Sequence, residues 1–229
     1  MKDISIKKVL ILVTILALPG FLYYLLQEKG KNRYRTLSYF GPKVIADTFH
    51  SKMGKKIRDT LYHEVTMPIL TDQDGKEFDL STFNDQIFVI RVFYTNAGHA
   101  STISNEALKK MSLAYPKNQH IKFLNITLDP TVDTPELLEA HMQDQMIKDA
   151  RWSFLTGSRD SINAFVRKKL LLDVFDSEPI GYTNMLVLLD YKHRIRGFYE
   201  VASSENVARL QDEIVVLLAE ELRNNNDGR

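Results

Sequence analysis

One short polar segment carries the side chains that most readily could do chemistry. Residues 93–104 read FYTNAGHASTIS and offer one imidazole, His99, and two hydroxyl groups, Ser101 and Thr102, just ahead of a helical pattern. A hydroxyl group at a helix start can act as a nucleophile, because the helix dipole stabilises its anion. No residue pattern pairs either hydroxyl with a base. Helix capping is therefore the simpler prediction for both side chains.

Histidine and methionine residues give weaker candidates for metal binding. Imidazole and thioether groups together suit cuprous copper. The possible sets are His99 with Met185 or with carboxylates, His141 with Met142 and Met146, and His50 and His63 with Met53 and Met67. None has the fixed ligand spacing of a metal motif, and the adjacent His141 and Met142 would point about 100° apart on a helix. An exposed loop histidine is the favoured interpretation of His99.

Asp129 and Asp133, in the segment LDPTVDTP, are candidates for a hard cation such as calcium, which binds carboxylate oxygens. Thr134, Pro135 and Glu136 follow, and a capping residue, a proline and an acidic residue in this order are typical of a helix start. The sequence therefore favours turn and capping roles for the two aspartates. Trp152 is predicted to be a core or edge anchor.

The bulk composition excludes several classes of function. The 229 residues contain no cysteine, so the chain cannot form a disulfide, a thiolate nucleophile or a thiolate metal site. Thirty basic and 29 acidic residues leave a net charge of +1, which gives no general case for nucleic-acid binding. The proportions of hydrophobic and charged residues, 44% and 26%, are those of a folded globular chain.

The N-terminal region predicts a membrane anchor. Residues 1–8 form a short tail, and residues 9–26 hold no charge over 18 residues, close to the roughly 20 that span a bilayer. No small-residue cleavage site follows, so an uncleaved single-pass helix is favoured over a signal peptide. Basic residues flank both ends, and they do not decide the orientation. Residues 27–61 are polar and basic, and are interpreted as a juxtamembrane linker with local structure, in which a solvated tether is favoured over contact with headgroups.

Residues 62–223 predict one α/β domain, followed by a polar tail at 224–229. Apolar, β-branched runs at 86–94, 121–128 and 185–190 predict buried strands. Asp74-Gly75 predicts a hairpin turn, and 195–201 alternates as a partner strand. Helical patterns occupy 105–114, a segment from Thr134, a segment from Ser158 and a C-terminal stretch. The predicted order is hairpin, β, α, β, α, α, β, β, α, which is the plan of a thioredoxin-like domain.

Several phrases in fixed order resemble one known family. They are TDQDGKEFDLSTF, RVFYTN, FLNITLDPTVDTPELLEAH, WSFLTG and LLDYKHRIRGFY. Together they are similar to the Sco/SenC family, membrane-anchored thioredoxin-fold proteins that help to assemble the copper site of cytochrome oxidase. The likeness covers roughly residues 63–222. It implies a soluble domain on the periplasmic or extracytoplasmic side of the inner membrane.

The resemblance also implies a copper site, but its ligands are missing. The family site has two cysteines four positions apart after the central strand and a later histidine. Ala97 and Ser101 stand where the cysteines would be, and Tyr182 stands where the histidine would be, within about a residue of alignment. Gly98 and Thr102 fall where prolines usually follow the two cysteines. Alanine has no donor atom, and serine and neutral tyrosine oxygens are poor copper ligands.

These observations predict a protein without enzymatic activity and without a bound cofactor or metal. The expected function is binding: a membrane-tethered Sco-like domain that holds a protein partner in respiratory-oxidase or copper-handling assembly. The alternative is a copper chaperone that uses His99, His141 and methionines in place of cysteine. A thiol oxidoreductase comes third and is nearly excluded by the absence of cysteine.

Overall fold

The chain divides into two compact units, Met1–Arg35 and Thr36–Arg229. The structure, a computed structural model, describes residues 6–29, 36–52, 54–173 and 184–226. Helix α1 (Ile6–Lys29) lies in the first unit and covers the predicted anchor at 9–26. Among the helices so described, none combines the length and the apolar character needed to cross a bilayer.

A seven-stranded mixed sheet forms the centre of the second unit. Its strands are β3 (Leu70–Asp72), β4 (Glu77–Phe78), β5 (Ile87–Phe93), β6 (Ile121–Thr127), β7 (Trp152–Thr156), β8 (Met185–Leu189) and β9 (Ile195–Glu200). The order across the sheet is β4-β3-β7-β6-β5-β8-β9. Strand β5 pairs in parallel with β6 and antiparallel with β8, with Phe93 opposite Thr127 at one end. The central strands are largely buried on both faces, as their mainly apolar sequences predict.

Helices cover both faces of this sheet. They are α2 (His99–Ala114), α3 (Pro135–Asp144), α4 (Arg159–Lys168) and α5 (Ser204–Asn226), and a short 3₁₀ helix spans Leu80–Thr82. One core cluster packs α4 against one face, through residues such as Phe165 and Val166. The other packs α2, α3 and α5 against the opposite face, through Leu108, Leu138 and Leu210. The α/β prediction is confirmed, and Trp152 lies buried in the second cluster.

The local structure of the linker predicted over residues 27–61 is a pair of strands in its C-terminal half. Strands β1 (Lys43–Lys52) and β2 (Lys55–Tyr62) pair antiparallel as a separate two-stranded sheet, which we name the N-terminal hairpin. The compact unit therefore begins at Thr36 and not near residue 62. The exposed, basic sequence conceals this hairpin because it lacks the buried face that gives most strands their alternating pattern.

Three smaller predictions also need correction. The predicted order omits β7. This strand pairs with both β6 and β3, and it therefore joins the β3–β4 hairpin to the rest of the sheet. Helix α2 starts at His99, six residues before the predicted 105–114 segment. Helix α5 runs to Asn226, so the tail predicted at 224–229 is helical in its first half, and residues 227–229 lie outside the described part.

A buried charge network fixes the start of the second unit. Arg196 is fully buried, and its Nη1 donates to Asp190 Oδ2 at 3.0 Å while its Nη2 donates to Glu220 Oε2 at 3.0 Å. The same Nη2 also donates to the carbonyl oxygen of Leu37 at 2.9 Å. The guanidinium lies 4.2 Å from the centre of the Tyr39 ring. One side chain therefore ties residues 37–39 to β9 and α5.

Candidate functional site

The loop after β5 lies at the C-terminal end of a central strand, where α/β sheets commonly bind ligands. The Ala97 amide donates to the Tyr94 carbonyl at 3.2 Å, and Gly98 follows with φ 60° and ψ −136° as the N-cap of α2. Gly98 makes no side-chain capping bond. Ser101 and Thr102 belong to the first turn of α2, so the prediction that they cap the helix is wrong.

The backbone at Gly98 has a direct bearing on the family pattern. Proline fixes φ near −65°, and Gly98 has a φ of 60° in the left-handed region that favours glycine. A proline at this position would require a different loop conformation. The main chain at Gly98 is therefore in a conformation that proline cannot adopt.

The carboxylate of Asp133 anchors this loop through hydrogen bonds. Its carboxylate accepts hydrogen bonds from the Thr95 amide at 3.1 Å, from the Thr95 hydroxyl, and from the Thr127 hydroxyl at 2.5 Å. Only 1% of Asp133 is exposed. Asp129 lies in the preceding turn, where its carbonyl accepts from the Asp133 amide at 2.9 Å. Both aspartates therefore have structural roles, as the sequence favours. Asp133 holds the loop, whereas the cap of α3 is Thr134, with Pro135 in the first helical turn.

A second polar group lies beneath the first turns of α2. Arg91 of β5 is buried, and its Nη1 donates to Asn105 Oδ1 at 2.5 Å. Asn105 Nδ2 donates in turn to Gln145 Oε1 at 3.2 Å. The Arg91 guanidinium also lies 4.8 Å from the centre of the Phe93 ring. Sequence reasoning missed these residues, although a charged residue inside the apolar run QIFVIRVFY was an available signal.

His141 completes the surroundings of the loop. Its ring packs beside the rings of Phe93 and Phe154, at centroid distances of 5.8 Å and 5.9 Å. Its buried Nε2 has no hydrogen-bond partner among the described residues. Burial, and next the positive charge of Arg91, lower the pKa of His141 from 6.5, and Asp133 and Asp144 oppose this shift. The imidazole is therefore neutral at pH 7.

This depressed pKa predicts a stability loss in mild acid. In the unfolded chain His141 takes up a proton as the pH falls through 6.5, whereas the folded chain resists protonation, so the free energy of unfolding falls. His141→Phe removes this difference. We expect the stability of the wild type to decrease more than that of the variant between about pH 7.5 and about pH 5.5. Urea unfolding at both pH values measures the difference, and parallel losses would contradict the assignment.

Of the predicted metal-binding sets, only His141 with Met142 and Met146 has all its side chains among the described residues. Within the described residues, no group of three or more His, Asp or Glu side chains could hold a metal ion. Met146 is 82% exposed, while Met142 packs against the core. His63 Nε2 hydrogen-bonds to the Lys169 carbonyl oxygen at 2.8 Å. Met67 and Met185 pack against the other core cluster.

Several predicted site residues lie outside the described part. Tyr182 and Met53 are not among the described residues, and neither are the side chains of His50, His99 and Ser101. Ala97 is described, and it is partly exposed in the loop ahead of α2. The assignment of Ala97, Ser101 and Tyr182 to vanished ligand positions stays a prediction.

Comparison with known proteins identifies the family. A sequence profile of the SCO1/SenC family matches residues 67–217, which is 151 of the 229 residues. The chain belongs to the SCO1/SenC family. The matched range runs from the end of the N-terminal hairpin region to α5, and it includes the loop, Asp133 and His141. The resemblance read from the sequence is therefore confirmed.

Individual SCO1/SenC proteins agree with this assignment. The SCO1 protein homolog of Bacillus subtilis (strain 168) is 27% identical over 120 residues, which are 50% of this chain and 61% of that protein, less than two thirds of its length. The crystal structure of a SCO1/SenC family lipoprotein from Bacillus anthracis str. Ames has a TM-score of 0.60 at 23% identity, and the match covers 68% of this chain and 95% of that one.

A third relative is BsSco, described as a member of the Sco family of cytochrome c oxidase assembly proteins that has a disulfide switch. Its structure has a TM-score of 0.59 at 20% identity, over 70% of this chain and 96% of that one. At these identities the two structures show the shared fold. The seven-stranded sheet and its helices are therefore the SCO1/SenC scaffold.

Proposed function

We propose that this chain is a non-catalytic, membrane-anchored SCO1/SenC protein that binds a partner during copper handling or respiratory-oxidase assembly. The observation that carries the proposal is a complete family scaffold around a loop that contains no cysteine. Thiolates would be needed for both the redox work and the copper ligation of the family. Protein binding needs a shaped and stable surface, which the scaffold supplies.

The residues around the loop favour a binding role over a site that has lost all function. Three hydrogen bonds to Asp133 and the Arg91–Asn105–Gln145 chain hold the loop and the first turns of α2 in one conformation. Satisfied buried networks rigidify the segments that they connect. A rigid surface loses little conformational entropy when a partner binds. The loop is thus suited to contact, while its own atoms offer no redox centre.

The relatives supply the direction of the proposal. BsSco is described as a cytochrome c oxidase assembly protein with a disulfide switch. A chain without cysteine cannot operate such a switch, but it can engage the same type of target. We place the second unit on the extracytoplasmic side, held by the uncharged segment 9–26. Resistance of the full chain to carbonate extraction, with protease access from the outer side only, tests this arrangement.

Copper titration of the full chain tests the non-catalytic assignment. We expect neither Cu(I) nor Cu(II) to bind more tightly than roughly micromolar, about −8 kcal/mol. His99→Ala serves as the matched variant and should behave as the wild type does. Tight stoichiometric binding that His99→Ala abolishes would replace the proposal with the alternative, a copper chaperone that uses histidine and methionine.

Membrane complementation tests the assembly role. In a host from which this chain is deleted, we expect lower cytochrome oxidase activity, restored by the wild type and equally by His99→Ala. A tagged full chain should co-purify with an oxidase subunit or a copper-handling protein from detergent-solubilised membranes. Unchanged oxidase activity after deletion would contradict the role.

A further inference from the structure

The charges of the chain are divided unevenly along its length. Residues 1–62 hold twelve basic and four acidic residues, a net charge of +8, whereas residues 63–229 hold eighteen basic and twenty-five acidic residues, a net charge of −7. The overall charge of +1 conceals this division. Such asymmetry is typical of proteins that present one region to an anionic surface.

The N-terminal hairpin has a net positive charge, whereas the rest of the second unit has a net negative charge. Between Lys43 and Tyr62 the sequence has five basic and two acidic residues. Of the basic side chains, Lys43, Lys55, Lys56 and Arg58 are exposed. The remaining part of the unit is acidic, so an anionic surface would attract the hairpin and repel the body behind it.

The same hairpin exposes large apolar side chains. Val44, Ile45, Phe49, Ile57 and Leu61 are each between 42% and 67% exposed. Single exposed apolar residues are ordinary, but five on one two-stranded ribbon indicate an interaction surface. Basic and apolar side chains together are the composition of elements that bind at a lipid headgroup layer.

The apolar side chains lie on both faces of the ribbon. Val44 is opposite Leu61, and Ile57 lies on the same face because residues alternate along β2. Ile45 and Phe49, opposite Thr60 and Arg58, lie on the other face. A protein partner commonly covers one face of a ribbon. Immersion in a headgroup layer surrounds both faces, so the distribution favours lipid.

The base of the hairpin is fixed to the second unit. The Tyr39 and Tyr62 rings stack at a centroid distance of 4.0 Å. The Phe40 amide donates to the Ile195 carbonyl at 3.0 Å, and His63 Nε2 hydrogen-bonds to the Lys169 carbonyl at 2.8 Å. The base of the hairpin is therefore attached to the rest of the second unit by these contacts.

We propose that the N-terminal hairpin docks on an anionic lipid surface, with its lysine and arginine side chains on phosphate groups and its apolar side chains in the interfacial layer. The proposal rests on the membrane anchoring of the proposed function, since residues 27–42 would keep the hairpin within reach of the bilayer. Each basic residue near an anionic surface strengthens the contact about fivefold.

The absence of cysteine allows a direct test in the full chain. Ile45→Cys is labelled with an environment-sensitive fluorophore, and the protein is reconstituted in nanodiscs of phosphatidylcholine alone or with about 30 mol% phosphatidylglycerol. We expect a shift of emission to shorter wavelength in the anionic discs only, and its reversal by high salt. A label at Leu113→Cys, an exposed position on α2, should respond equally to both lipids.

Charge reversal supplies a matched pair of variants. Lys55→Glu/Lys56→Glu should reduce the docked fraction by at least about tenfold and abolish the shift. Arg167→Glu/Lys168→Glu, at two exposed positions of α4, changes charge equally and should leave the shift intact. Equal emission in both lipids, or no effect of the hairpin variant, would overturn the proposal. A shift that requires other membrane proteins in the disc would identify a protein contact and overturn it as well.

Failure of this inference is distinct from failure of the proposed function. A chain that stays in the discs but shows no lipid-dependent emission retains its anchor and loses only the docking proposal. A chain that does not co-purify with the discs contradicts the anchor itself. Neither result affects the copper titration or the oxidase assay, which test the binding role.

Discussion

Arg196→Met is expected to lower the free energy of unfolding by about 3–5 kcal/mol, because it leaves the buried Glu220 without its charged partner and Asp190 paired with Arg194 alone. Arg196 is fully buried, and it donates hydrogen bonds to Asp190, to Glu220 and to the carbonyl oxygen of Leu37. Methionine fills similar volume, so the loss reports charge and hydrogen bonding more than packing. Urea unfolding followed by the fluorescence of the single, buried Trp152 measures it.

An exposed pair provides the control for this prediction. Lys76 Nζ lies 3.4 Å from Asp74 Oδ2, with 74% and 51% of the two side chains exposed. Lys76→Met should cost less than about 1 kcal/mol. Adding Glu220→Gln to Arg196→Met should recover part of its loss, since the uncompensated charge is then removed. Equal losses for Arg196→Met and Lys76→Met would contradict the role of the buried network.

Ala97→Cys/Ser101→Cys/Tyr182→His is expected to create tight Cu(I) binding. Two thiolates and an imidazole form a soft ligand set that suits copper, and a position in the first turn of α2 lowers the pKa of a thiol. We expect the affinity to rise at least about a thousandfold over the wild type, about 4 kcal/mol. Competition with a Cu(I) chelator measures the gain.

A variant without thiols controls for the added histidine. Ala97→Ser/Tyr182→His keeps the loop polar and should bind no more tightly than the wild type. If the triple variant also gains nothing, the ligand assignment or the loop conformation is at fault. Adding Gly98→Pro separates these explanations, because proline would move the main chain at Gly98 away from its φ of 60°.

The central sheet could be predicted because its signals are local. The runs that became β5, β6 and β8 are long, apolar and β-branched, and Thr134-Pro135 marked the start of α3. The start of α2 could not be predicted in this way. Gly98 caps the helix with its backbone conformation and no side-chain bond, so the sequence carries no capping signal there.

The remaining features were missed in the sequence because they depend on tertiary contacts. Strand β7 is short, and it is stabilised by pairing with β6 and β3, which are distant in sequence. Arg91 and Asn105 meet only because β5 and α2 pack together, and Arg196 reaches Leu37 across 159 residues. The loop itself was located correctly from sequence, but the clamp by Asp133 depends on the parallel pairing of β5 with β6.

The segment before the N-terminal hairpin has a consequence for self-association. Strand β9 is the outer strand of the large sheet, and the Phe40 amide occupies the carbonyl of Ile195 on its free side. Unprotected outer strands recruit strands from other molecules and lead to aggregation. Residues 37–40 therefore protect β9 from pairing with strands of other molecules. Loss of residues 37–40 would expose this side of β9 and favour its pairing with strands of other molecules.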